Sequence, residues 1–98
     1  MSQPESQLSR QLMDYIRARG GFAMKIHGGP MTLAGAPDIV ACYRGRFLGL
    51  ETKLPGNDPT AVQLLRIDQI RKAGGIGQVV RSKADVAKVL MHVDLSIP

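Results

Sequence analysis

Asp38-Ile-Val-Ala-Cys-Tyr43, Arg44-Gly45 and Arg46-Phe-Leu-Gly-Leu-Glu-Thr-Lys53 form one continuous stretch, and its reading decides the fold. Two runs rich in β-branched and aromatic residues flank a dipeptide whose glycine supplies positive φ, so the stretch reads as a β-hairpin with a two-residue turn. With Arg44-Gly45 as the turn, Tyr43 faces Arg46, and stepping outward pair by pair brings Asp38 opposite Glu51. Directly opposed residues share a face, with Cβ atoms roughly 4.5–5.5 Å apart. Period-two alternation adds Lys53 to that face.

Two carboxylates so placed repel one another and tend to raise one pKa unless a cation lies between them. Asp and Glu oxygens suit magnesium or manganese, and no His or Cys cluster stands beside them to argue for zinc. A cation held there would polarise a phosphodiester and lower the pKa of a bound water. Lys53 could orient or deprotonate that water, or stabilise the transition state; the pattern does not choose among these roles. The ordinary alternative is a solvated salt-bridge cluster on an exposed hairpin face. Against it, Val40, Cys42 and Phe47 fall on the same face, so the charges share a side with apolar groups.

Outward from the hairpin, residues 4–19 place Leu8, Leu12, Tyr15 and Ile16 at helical spacing between Pro4 and the stop Gly20-Gly21. Residues 22–27 read as a short strand, and Gly28 through Pro37 as a breaker-rich loop. After the hairpin, Asp58 is the expected N-cap and Pro59 the first residue of a helix running to Ala73, ended by Gly74-Gly75. Ile76 to Arg81 read as a strand, and Ser82-Lys-Ala-Asp85 as a capping box opening a short helix over 83–91. The order is α-β-β-β-α-β-α. The last strand follows a helical crossover and is expected parallel to a hairpin strand, giving one mixed α/β layer.

Gly35-Ala36-Pro37-Asp38, then twelve residues, then Glu51-Thr52-Lys53 resembles the PD-(D/E)-x-K nuclease motif. Pro59, Gln63, Gly74-Gly75 and Gly77-Gln-Val-Val-Arg81-Ser82 extend the likeness, more narrowly, to the VRR-NUC family, in its compact stand-alone bacterial or phage form. The series covers nearly the whole chain. The resemblance implies a restriction-endonuclease-like αβββαβ core with a mixed sheet, followed here by the short C-terminal helix. It implies Asp38, Glu51 and the backbone carbonyl of Thr52 as ligands of Mg2+ or Mn2+, Lys53 as the catalytic lysine, and nuclease activity on DNA.

Further positions invite weighing. Glu5 shares a helical stripe with Leu8 and Leu12, which turns it toward the core or a neighbouring site; otherwise it complements the helix dipole. The resemblance places a first-helix acid beside the active site, as a further metal ligand. Gln63 shares a face with Ile67 and Ile70 and matches the family's helix glutamine, so a site role is expected rather than simple solvation. Lys25, Arg44, Arg46, Lys72, Arg81 and Lys83 fall at loops, strand ends or the site's surroundings and are the candidate DNA phosphate contacts. His27 and His92 have no partner at ligand spacing. Cys42 cannot form an internal disulfide and reads as a small apolar strand residue.

Composition agrees with these readings. In 98 residues, thirteen Lys and Arg against eight Asp and Glu give a net charge of +5, which favours polyanionic partners, nucleic acid first. A hydrophobic share of 44% with 21% charged residues fits one soluble folded domain over residues 1–98. No apolar run approaches spanning length, so no membrane association is expected. The polar start Met1-Ser2-Gln3-Pro4-Glu5-Ser6 is unlike a secretory signal, and a cytoplasmic protein is expected. The chain therefore reads as a Mg2+- or Mn2+-dependent DNA endonuclease selective for branched DNA such as a four-way junction, in replication, repair or recombination. Its small core and the family likeness suggest a homodimer. The rival reading is a non-catalytic basic DNA-binding module on the same fold.

Overall fold

The computed structural model describes residues 4–98; Met1, Ser2 and Gln3, which open the polar start, lie outside the described residues. The hairpin organises the sheet. Tyr43 faces Arg46 and Ile39 faces Leu50, the register that the turn predicts. Arg44 and Gly45 have φ values of 51° and 82°, the paired positive values whose twist matches that of the flanking strands.

The elements are α1 (Pro4–Ala18), β1 (Phe22–Lys25), β2 (Ile39–Tyr43), β3 (Arg46–Thr52), α2 (Ala61–Lys72), β4 (Ile76–Val80) and α3 (Lys83–Ser96). The sheet order is β1-β2-β3-β4. The β1–β2 and β2–β3 pairs are antiparallel, and β3–β4 is parallel, as a helical crossover requires. This is the expected mixed α/β layer with its C-terminal helix.

Alternation along β3 divides the molecule. Leu48, Leu50 and Thr52 point to one face and are buried there with Ile39 and Ala41 of β2. α1 contributes Leu12 and Ile16 to this core, and α3 contributes Val86, Val89, Leu90 and Val93. The other face of β3 carries Phe47, Gly49 and Glu51, and α2 covers only part of it. A Cβ at Gly49 would lie 2.5 Å from Ile70 Cδ1, and one at Gly77 2.7 Å from the Ile67 carbonyl oxygen. The missing side chains let the helix seat directly on the strands.

Boundaries shift where tertiary contacts outweigh local signals. α3 runs to Ser96 instead of ending near Met91, because its apolar stripe continues through Val93 into the core. α2 is capped by Thr60, not Asp58: Thr60 and Gln63 form a reciprocal capping box, whereas Asp58 is exposed. Ser82 caps α3 and accepts from the Asp85 N–H, but the Asp85 carboxylate accepts from the Arg81 N–H, so only half of the expected capping box forms. Cys42 sits in β2, as expected of a small apolar strand residue, and is exposed there. Among the described residues no helix is long and apolar enough to cross a membrane.

Candidate active site

Asp38 is positioned by the loop before it. From α2, the Arg66 Nε donates to the Ala34 carbonyl at 2.8 Å. Gly35, at φ 78°, lies so close to α2 that a Cβ would come within 2.7 Å of the Val62 carbonyl oxygen. Only glycine meets both the conformation and the space. The helix thus holds the segment that delivers Asp38 to the head of β2. There the Asp38 Oδ2 accepts a hydrogen bond from the Thr52 N–H at 3.0 Å, tying it to β3 one step beyond the last ladder pair.

Glu51, on the face shared with α2, is 1% exposed. Its Oε1 lies 3.8 Å from the Lys53 Nζ, and its Oε2 has no hydrogen-bond partner among the described residues. Burial pushes its carboxyl up to about 7; the Asp38 charge adds to the rise and the Glu5 charge contributes, while Lys53 and the Asp38 backbone oppose it. The mutual repulsion expected from the sequence is present, but desolvation is the larger cause. A buried carboxylate oxygen without a donor is costly, and a hard cation satisfies it without any protein donor.

Lys53 is largely shielded, and its backbone N–H donates to the Val80 carbonyl at 3.1 Å. The loop leaving it is braced by Arg81, whose Nη1 donates to the Leu54 and Asn57 carbonyls at 2.9 and 2.6 Å. Strand alternation sends the Thr52 carbonyl to the same side as its N–H, toward Asp38. Asp38, Glu51, Thr52 and Lys53 are therefore brought together. Glu5, in the first turn of α1, is half-buried and close enough for its charge to be felt at Glu51. Among the described residues no three Asp, Glu, His or Cys side chains converge closely enough to hold a metal. The donors on offer are two carboxylates and a main-chain carbonyl, which suits an ion that keeps several waters.

Gln63 is engaged by the cap of its own helix. Its Oε1 accepts from the Thr60 N–H at 2.9 Å, so helix capping occupies the amide oxygen that the sequence assigns to the site. Of the candidate phosphate contacts, Lys25 donates to the buried Ser9 Oγ at 3.1 Å. Arg44 pairs with Asp94 at 3.0 Å and Lys72 with Asp68 at 2.9 Å; Arg44 and Tyr43 together lower the Asp94 carboxyl. Arg46 donates to the Gly74 carbonyl at 3.1 Å, and Lys83 is exposed at the start of α3, as His27 and His92 are on their own segments. Arg66 and Ser9 escape the sequence reading. Ser9 stands one helical turn after Glu5, a spacing that could have flagged it, whereas nothing local signals the grip of Arg66 on Ala34.

An αβββαβ core carrying a Pro-Asp and an acid-x-Lys on paired strands is the restriction-endonuclease-like architecture. Comparison with solved structures narrows it. A VRR_NUC domain superposes with a TM-score of 0.76 and 27% identity, over 93% of this chain and 98% of that one. A VRR_NUC domain protein gives 0.65 and 22%, over 94% and 88%. Archaeoglobus fulgidus Hjc, a Holliday junction resolvase from an archaeal hyperthermophile, gives 0.63 and 21%, over 79% and 67%. The last two likenesses are of fold alone. No family model matches the sequence, and a search of curated proteins finds no match. The VRR-NUC resemblance read from the motif series is borne out: the chain has the fold of VRR-NUC domains.

Proposed function

We propose that residues 1–98 form a single metal-dependent DNA endonuclease domain that hydrolyses phosphodiester bonds. The observation that carries this reading is the buried Glu51, with an Oε2 unpartnered among the described residues and a carboxyl raised to about 7, beside Asp38 and Lys53. Asp38, Glu51 and the Thr52 carbonyl would hold Mg2+ or Mn2+. When bound, such an ion supplies Lewis-acid stabilisation of charge on phosphorus and a more acidic water. Asp38 is held ready by the Thr52 N–H, so its free oxygen needs little reorganisation to bind. The Lys53 ammonium, anchored by Glu51, donates to the attacking water or to a phosphate oxygen. Glu5 adds negative charge at the rim.

The substrate class follows from charge and from the neighbours. A net charge of +5 suits a polyanion, and one structural neighbour is a Holliday junction resolvase; branched DNA in replication, repair or recombination is the reading we adopt, with a cytoplasmic location. A homodimer is part of it. Phe22, Cys42 and Phe47 form one cross-strand row on the sheet face that α2 leaves open. Phe22 is 62% and Phe47 47% exposed, with Met24 beside them. Such an apolar patch marks an association surface, and a two-fold pair of sites suits a symmetric junction.

The test is cleavage of labelled four-way junction, flap and linear duplex with magnesium, manganese or EDTA, for wild type and Lys53→Ala. Cutting that requires metal and is lost in the variant is expected. Calorimetric titration with Mn2+ reads the site independently of turnover: heat is expected for wild type and none for Asp38→Ala. DNA binding without cutting by either protein would point instead to the non-catalytic module.

A further inference from the structure

β4 is an edge strand, and the groove beside it has no part in the chemistry described above. It encloses about 740 Å³ between the outer edge of β4 and α3. Its charged lining is Arg46, Arg71, Arg81 and Lys88, with His92, against one carboxylate, Asp85. Four permanent positive charges facing one negative charge in a concave site concentrate positive potential there. The residues come from β3, α2, the end of β4 and α3, so only the fold assembles them.

The arginines are aimed by main-chain carbonyls. Arg71 reaches from α2 around the sheet edge, where its Nε donates to the Gly77 carbonyl at 2.8 Å and its Nη2 approaches Gln78 Oε1 at 3.5 Å. Arg46 Nε is held by the Gly74 carbonyl, and Arg81 by Leu54 and Asn57, with the exposed Asp58 carboxylate 3.9 Å from its Nη2. Arg46 and Arg71, held on one side by neutral carbonyls, keep their full charge and present remaining N–H donors, the arrangement that suits phosphate oxygens; Arg81 shares its charge with Asp58 at the loop end. Lys88 and His92 stand one helical turn apart on α3 and are both exposed.

An open strand edge could also accept a peptide strand. Here the edge is closed at both ends. Val80 bonds inward to Lys53, so alternation turns residues 77, 79 and 81 outward. Of these, the Gly77 carbonyl is taken by Arg71 and the Arg81 N–H by Asp85 Oδ2 at 2.8 Å. Strand addition would have to displace both contacts to pair the full edge, and the charge favours an anion.

The geometry points to this groove as a track for a DNA phosphate backbone, held by Arg46, Arg71, Arg81 and Lys88 and leading along β4 to the active site. Rising about 3.3 Å per residue from Gly75 to Arg81, the groove is about 20 Å long, the axial length over which one strand of a duplex passes about six phosphates. Its Arg81 end abuts the loop that follows Lys53. A duplex arm seated here is positioned for cutting without any base being read. The inference rests on the nuclease reading, since that reading supplies the DNA.

The test is fluorescence anisotropy of a labelled DNA duplex in EDTA, across a series of NaCl concentrations, for wild type, Arg71→Gln, Lys88→Gln and the double variant. Each single change is expected to lower the slope of log K against log salt by about one, and the double change by about two. Circular dichroism checks folding; Lys88→Gln, on the exposed side of α3, carries the test alone if loss of the Gly77 contact unfolds Arg71→Gln. Wild-type binding with an undiminished slope in Lys88→Gln and the double variant would overturn the track and leave the nuclease reading standing. No binding by wild type would overturn both.

Discussion

The two faces of β3 put adjacent residues of one strand to opposite uses. Leu48 and Leu50 are fully buried in the apolar core under α1 and α3. Glu51, next in sequence, is as deeply buried on the other face, but with a carboxylate oxygen that nothing among the described residues satisfies. Burial of Leu48 and Leu50 stabilises the fold, whereas burial of the Glu51 carboxylate strains it. The contrast teaches that the site is built where the molecule tolerates a local loss of stability, with the opposite face compensating.

The largest break in this contrast is expected from Glu51→Gln. The amide keeps the shape but not the charge, so cleavage should fall on the order of 10³-fold, while the metal-free protein at neutral pH becomes more stable. Single-turnover cleavage and urea unfolding measure the two effects; an active variant would remove Glu51 from the site. Leu50→Ala is the mirror experiment. Truncating this fully buried side chain should lower the unfolding free energy by about 2–5 kcal/mol, with the fraction that remains folded still cutting at the wild-type rate. A loss of only a few tenths would show that this face is not the core.

The pH dependence sharpens the same comparison. The folded-state carboxyl of Glu51 is raised from its ordinary value of 4.5 to about 7. Between these values the unfolded chain has lost the proton and the folded chain still holds it, so stability falls as pH rises through the window and levels off above it. The decline should reach about 3 kcal/mol at most. Asp94, lowered by Arg44 and Tyr43, has the opposite sign: its contribution is lost only as pH falls through its folded value, below this window. Urea unfolding in EDTA from about pH 5 to about pH 8 tests it. A slope of the expected sign in wild type, absent in Glu51→Gln, supports the assignment; a flat wild-type profile would deny that Glu51 is buried as a free acid.

How much of this could be read in advance depended on range. The turn at Arg44-Gly45 set the hairpin register, and strict alternation then placed Asp38, Glu51 and Lys53 on one face without any knowledge of tertiary structure. Glycine and proline punctuation gave the element order for the same local reason. Contacts between distant segments were not legible. Nothing near Cys42 or Phe47 says how much of them the rest of the chain covers, so their exposure was not legible. The stripe through Val93 extends α3 only because the core reaches that far. Arg71 and Lys88 look like solvated helix residues until the β4 edge brings them together.

Gln63 shows the limit most sharply, and its substitution carries the smallest expected effect. Its helical position, sharing a face with Ile67 and Ile70, argued for an amide turned to the site, but position on a helix does not say which partner a flexible amide takes. The Thr60 N–H, three residues away, is a local donor that would otherwise be unsatisfied, and it captures the Gln63 Oε1. Gln63→Ala should therefore cost about 1 kcal/mol through half of the capping box, leaving cleavage close to wild type. Gln63→Glu restores the acceptor and should restore the stability. Melting and cleavage measured on both variants separate the roles: if the amide instead serves the reaction, cleavage will drop in the glutamate variant even as its stability returns, because a carboxylate caps the helix equally well but cannot donate.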